Sequence, residues 1–61
     1  MVVSTWKRDD EEAEVFDNTD HFVAWNFKRS DFAARNRDGG IRFNSAEEVE
    51  DALAELGWQK K

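Results

Sequence analysis

Glu47, Asp51 and Glu55 recur at four-residue spacing, Glu48 lies beside the first, and no Lys or Arg falls between Ser45 and Gly57. Carboxylates four apart share one face of a helix and repel each other by a few tenths of a kcal/mol per pair. Glu55 also falls in the last turn, where the helix dipole disfavours an anion. Surfaces that need only solubility mix their signs. An acidic face kept at a cost points to an electropositive partner, such as a basic protein surface, and Glu47, Glu48, Asp51 and Glu55 are the candidate partner-binding residues. The plainer reading is a solvated face.

A second constellation has the opposite sign. Lys28, Arg29, Arg35, Arg37 and Arg42 lie among Trp25, Phe27 and Phe32. Bases interleaved with aromatics on a sheet can hold single-stranded nucleic acid, the rings stacking on bases and the cations meeting phosphates. Alternatively the aromatics are core and the cations pair with nearby carboxylates. The net charge of −5, from 14 acidic and nine basic residues, favours the second view.

A third group, Asp17, Asp20 and His21, offers two carboxylates and an imidazole within one turn. It matches no standard metal site. The same residues read more simply as a turn capped by its aspartates, and no metal or cofactor is expected. Nucleophilic catalysis also lacks material. Cys and Tyr are absent, three serines share one His, and Gly39-Gly40 lacks the Lys and spacing of a phosphate loop. Paired carboxylates work as acid and base only in a desolvated cleft, and a chain of 61 residues has little room for one.

Positioning any such groups requires a core, and the apolar inventory is lean. Leu, Ile, Val and Phe together number 13 of 61 residues, close to the level of about 20% below which chains tend to disorder. Five Phe and three Trp compensate, since each aromatic buries about 150–250 Å². Disulfides are excluded by composition, so a partner subunit is the available staple for so small a domain. The charge, the missing Cys and the lack of a leader or spanning segment fit a soluble cytoplasmic protein.

Hydropathy patterning divides the chain into elements. Val2–Trp6 reads as a strand, Lys7–Glu12 as a charged loop and Ala13–Phe16 as a second strand. Asp17–Asp20 is a turn of Asx-forming residues. His21–Phe27 is the clearest strand, with Val23, Trp25 and Phe27 on one side and Phe22, Ala24 and Asn26 on the other. For Lys28–Phe43 two readings stand. In one, Phe32–Arg35 pairs with Ile41–Phe43 across the Asn36–Gly40 turn. In the other, a short helix starts at Ser30 or Asp31.

Ser45–Leu56 reads as a helix. Ser45 is its N-cap, Glu48 completes a capping box and Gly57 takes the left-handed terminating position, bringing Trp58 to Leu53. Ala46, Val49, Leu53 and Leu56 form the apolar stripe.

These elements predict a single α+β domain over residues 1–61, an antiparallel sheet of three to four strands with one C-terminal amphipathic helix on one face. Trp25, Phe27, Val49, Leu53 and Trp58 are the expected core. One helix covers one sheet face, so Phe22, on the other, is the candidate interface residue of a homodimer. The expected function is non-catalytic protein–protein binding, as a small regulator, adaptor or inhibitor. The alternative is a nucleic-acid-binding module using residues 28–42.

Overall fold

The computed structural model describes residues 1–61. The chain is α+β: a five-stranded antiparallel sheet and one C-terminal helix. In chain order the elements are β1 (Val2–Arg8), β2 (Glu11–Asp17), β3 (Phe22–Asn26), β4 (Asp31–Phe32), α1 (Ala46–Glu55) and β5 (Gln59–Lys60). The sheet order is β4-β3-β2-β1-β5. The three long strands form a meander, and the two-residue strands β4 and β5 close its edges. This count exceeds the predicted three to four strands through β5, which nothing in the composition of Gln59-Lys60 announces.

The strands β1 and β2 run straight through the segment expected to be a charged loop. Only Asp9 and Asp10 turn, with Asp9 at φ 53°. A two-residue hairpin needs left-handed backbone, and Asp tolerates it. The charges on either side suit strands because they alternate in sign across the ladder: Arg8 lies opposite Glu11 and Lys7 opposite Glu12. After β2, Asp17 Oδ1 accepts the Thr19 N–H at 2.8 Å and Thr19 adopts φ 77°, so the Asx turn forms as its residues dictate.

The register settles which face the helix covers. Trp6 pairs with Ala13 and Ala13 with Asn26, while Ser4 pairs with Val15 and Val15 with Ala24. The core joins Trp6, Ala13, Val15 and Ala24 of the sheet to Val49 and Leu53 of α1, with Ala34, Phe43 and Trp58 around them. The two faces of β3 are therefore the reverse of the expectation. Ala24 and Asn26 face the helix, and Phe22 packs half-buried against the core. Val23, Trp25 and Phe27 face away. The expectation that Trp25 and Phe27 lie in the core is corrected: Trp25 is half-buried on the outer face and Phe27 is 49% exposed.

The physical reason lies in size rather than hydrophobicity. Ala13 and Ala24 sit fully buried at the sheet centre, and small side chains there let the helix approach closely. Trp6, Phe43 and Trp58 fill the periphery. Asn26 is tolerable inside because its amide is satisfied. Its Nδ2 donates to Glu11 Oε1 at 2.8 Å, and its Oδ1 accepts the N–H groups of Lys28 and Arg29 at 3.0 and 3.1 Å.

Neither reading of Lys28–Phe43 holds. Phe32 and Phe43 both pair with β3, at Trp25 and Phe22 respectively, and not with each other. Between them the chain loops out on the helix side, where Ala34 is buried. Asn36 organises this loop. Its Oδ1 accepts the N–H groups of Asp38 and Gly40, each at 2.9 Å, while Gly39 takes φ 84°.

The helix begins and ends as predicted. Ser45 Oγ accepts the Glu48 N–H at 3.2 Å, and Glu48 Oε2 reaches back to the Asn44 N–H at 3.3 Å. At the other end Gly57 has φ 89°, its N–H bonds the Ala54 carbonyl and the Trp58 N–H bonds the Leu53 carbonyl. These two bonds constitute a Schellman termination. Leu56 leaves the apolar stripe and is 50% exposed, because the helix ends beneath it. Ala52 takes its place against the core.

Candidate functional site

Everything that covers the sheet lies on one side. The helix and the 33–42 loop both pack over Ala13, Val15 and Ala24, and no element packs on the opposite face. That open face is built by strand alternation. On β3 it presents Val23, Trp25 and, just past the strand end, Phe27. On β2 it presents Glu12, Glu14 and Phe16, and on β1 Thr5 and Lys7. Phe32 of β4 joins it beside Trp25, the two rings meeting edge to face with centroids 5.0 Å apart and planes at 86°. Phe16 stands in register with Val23 and with Val2. Val2 and Val3 are exposed at this end.

The open face thus has an apolar stretch of Val23, Trp25, Phe32 and Phe16 and a polar corner on β1 and β2. In that corner the Lys61 Nζ meets Glu12 Oε2 at 2.6 Å, which holds the Glu12 carboxyl below its ordinary range. Lys7 and Glu14 have no ionic partner within the chain. Val23, in register with Phe16, is only 8% exposed although no element covers this face.

No protein-family model, curated protein or solved structure matches this chain.

The acidic helix residues are where the spacing placed them. Glu47, Asp51 and Glu55 are exposed and make no ion pair, so they form an uncompensated ridge. Glu48 is exposed too, but its carboxylate is engaged at the helix N-terminus. Glu50, on the helix flank between the ridge and the apolar stripe, turns towards the sheet. It accepts from Ser4 Oγ at 2.8 Å and meets Lys60 Nζ at 3.4 Å, while Ser4 Oγ in turn accepts the Trp6 indole N–H at 2.9 Å. This chain of bonds ties β1, α1 and β5 together.

The basic segment does not converge on the sheet. Of residues 28–42 only Asp31 and Phe32 belong to a strand. Lys28 and Arg29 sit in the turn after β3, where Lys28 pairs with Asp10 and Arg29 Nε meets Glu11 Oε1 at 3.0 Å. Arg35, Arg37 and Arg42 lie in the long loop, and Arg35 faces Asp31 at 3.9 Å. The Lys28 contact holds the Asp10 carboxyl below its ordinary value.

Glu11 is the buried charge the sequence did not flag. It is 8% exposed. Its carboxyl is held down first by the hydrogen bond from Asn26 and then by Arg8 and Arg29, against the opposing effect of burial. A charge pattern of Arg8, Glu11 and Arg29 was visible, but only the β1–β2–β3 register brings Asn26 to it.

Asp17, Asp20 and His21 are occupied with the turn. His21 Nδ1 lies 2.6 Å from Asp20 Oδ1, which lowers the Asp20 pKa, and His21 Nε2 lies 3.3 Å from the Asn18 amide. Asp17 caps Thr19. No three His, Asp or Glu side chains converge as metal ligands, and no helix is long and apolar enough to cross a membrane.

Proposed function

We propose that this chain is a small non-catalytic protein-binding domain, a regulator, adaptor or inhibitor in the cytoplasm, whose main contact surface is the open sheet face around Trp25. The observation that carries this reading is the aromatic pair of Trp25 and Phe32 on a face no part of the chain covers. Partly exposed Trp and Phe beside a mixed polar rim have the composition of an interface centre. Interfaces concentrate their binding energy in such aromatic anchors, which a domain this lean in apolar residues has reason to bury if it can. The acidic ridge of Glu47, Glu48, Asp51 and Glu55 is a second surface under this reading, suited to a basic protein partner and remote from the aromatics.

The pairing of Lys28, Arg29 and Arg35 with carboxylates takes support from the nucleic-acid alternative, as does the absence of a basic cluster beside the exposed rings. A nucleic-acid surface owes its affinity to unpaired cations released from their counterions.

Immobilised protein exposed to extract from its native host tests the proposal. Partners retained by the parent chain should be lost on Trp25→Ala. Equal retention by the Trp25 variant and by the charge-reversed Glu47→Lys/Asp51→Lys variant would remove the proposal. A titration with single-stranded DNA should show no binding, and a steep fall of affinity with salt would instead restore the nucleic-acid reading.

A further inference from the structure

We infer that the open sheet face is occupied by a second copy of this chain, the two sheets packing face to face about a two-fold axis. This rests on the proposal that the face is a contact surface, and it names the occupant.

Charge is the first argument. The chain carries a net −5, and two such molecules repel wherever their acidic surfaces meet. The helix side bears the uncompensated ridge. The open face instead carries two cations, Lys7 and Lys61, against two carboxylates, Glu12 and Glu14. It is the neutral side of an acidic molecule, and so the side on which a like-charged copy can approach.

Complementarity is the second argument. Lys61 and Glu12 already satisfy each other, which leaves Lys7 and Glu14 as the two unpaired charges of the face. An isologous interface makes every contact twice, residue i on residue j and j on i. One free cation and one free carboxylate per copy therefore suffice for two reciprocal pairs, Lys7 of each chain with Glu14 of the other. Trp25 stands in register beside Glu14, so in this arrangement it lands one strand spacing from the partner's Lys7, over the polar corner of the other copy.

Area is the third argument. The molecule measures 30 × 24 × 20 Å, so its broad side offers on the order of 700 Å², close to the roughly 800 Å² per partner of a standard interface. The chain also closes well alone. Its accessible surface of 4148 Å² is near the roughly 4,100 Å² expected of a folded monomer of its mass. The dimer accordingly forms from folded monomers and dissociates on dilution. The expected interface residue Phe22 lies on the opposite side, against the core, so the interface moves to Lys7, Glu14 and Trp25.

Sedimentation equilibrium of the full chain, run from low micromolar to millimolar concentration, tests this. The parent should pass from 7.1 kDa to twice that mass as concentration rises. Lys7→Glu and Glu14→Lys should each weaken the dimer by roughly tenfold or more. An equimolar mixture of these two variants should regain it, because both reciprocal pairs are then opposite in sign. Asp51→Lys on the helix should not weaken it. These positions are not in the core, so the variants keep the fold, which circular dichroism checks. A parent that remains monomeric at millimolar concentration overturns the inference, and so does a mixture no tighter than its separate components. A monomeric parent that still loses a foreign partner on Trp25→Ala would remove the self-association alone and leave the binding proposal standing.

Discussion

Trp25 and Phe32 meet edge to face across the β3–β4 pair, their ring centroids 5.0 Å apart, on the sheet face turned away from the helix. Edge-to-face aromatic pairs contribute about 0.5–1.5 kcal/mol beyond the area they bury. Because Trp25 is only half-buried, Trp25→Ala should lower unfolding stability by about 1–2 kcal/mol while leaving the fold intact. Urea denaturation followed by circular dichroism measures this. At low micromolar concentration, where the chain is monomeric, a loss as large as that of a core residue would contradict the half-burial of Trp25.

Leu53 behaves differently. It is fully buried at the centre of the helix–sheet contact, and Leu→Ala at such positions costs about 2–5 kcal/mol. Domains of this size hold roughly 3–5 kcal/mol in total. Leu53→Ala should therefore populate the unfolded state at 25 °C, read as lost near-ultraviolet Trp dichroism. Retention of a cooperative thermal transition near that of the parent would contradict the packing described here.

Arg8 supplies what the helix lacks. The last turn of α1 contains no basic residue, yet Arg8 Nη1 donates to the Leu56 carbonyl at 3.0 Å and its guanidinium lies 4.6 Å over the Trp58 ring. A cation there meets both the negative helix end and the indole face. Arg8→Met keeps the aliphatic stem and removes the charge, and it should cost about 1–2 kcal/mol. Arg8→Lys should restore part of this, since a lysine keeps the charge but not the flat guanidinium. Thermal melts of the three proteins at low salt decide the order.

Gly57 is held at φ 89° with its nearest foreign atom, the Arg8 Cδ, 3.8 Å from where a Cβ would stand. Space is therefore not the obstacle, and Gly57→Ala is penalised by its left-handed backbone alone, at about 1 kcal/mol. Asn tolerates that backbone better, so Gly57→Asn should lose less. The same melts test this, and equal losses from both substitutions would point to a clash instead.

Acid should destabilise the chain through Glu11. Its folded pKa lies below the ordinary value of 4.5, so the folded state holds its proton less tightly than the unfolded state does. The resulting stability is complete above pH 4.5 and is lost as pH falls from there through the depressed folded value. Asp10 and Glu12 are lowered as well and act in the same direction. Urea midpoints measured from neutral pH into the acid range should fall for the parent. Glu11→Gln should start lower and show a shallower fall, and an unchanged slope would assign the acid sensitivity elsewhere.

Local features were legible in the sequence because they depend on near neighbours. The Ser45 cap, the Gly57 termination, the Asp17 turn and the burial of Val49, Leu53 and Trp58 follow from spacings within a few residues, and the structure repeats them. The acidic ridge of Glu47, Asp51 and Glu55 was equally plain, since helical spacing alone sets it. Lys7–Glu12 was misread because a run of charge resembles a loop until its alternating signs are laid across a hairpin.

By itself the sequence determined an α+β chain with a well-capped terminal helix that must lie on a sheet, since a helix that short does not stand alone in water. Tertiary structure decided which side of β3 that helix covers. The choice depended on Ala13 and Ala24, on adjacent strands, making a flat bed for Val49 and Leu53, and on Glu11 arriving to satisfy Asn26. Both are matches between distant residues that strand register creates. The open face around Trp25 is what that choice left uncovered.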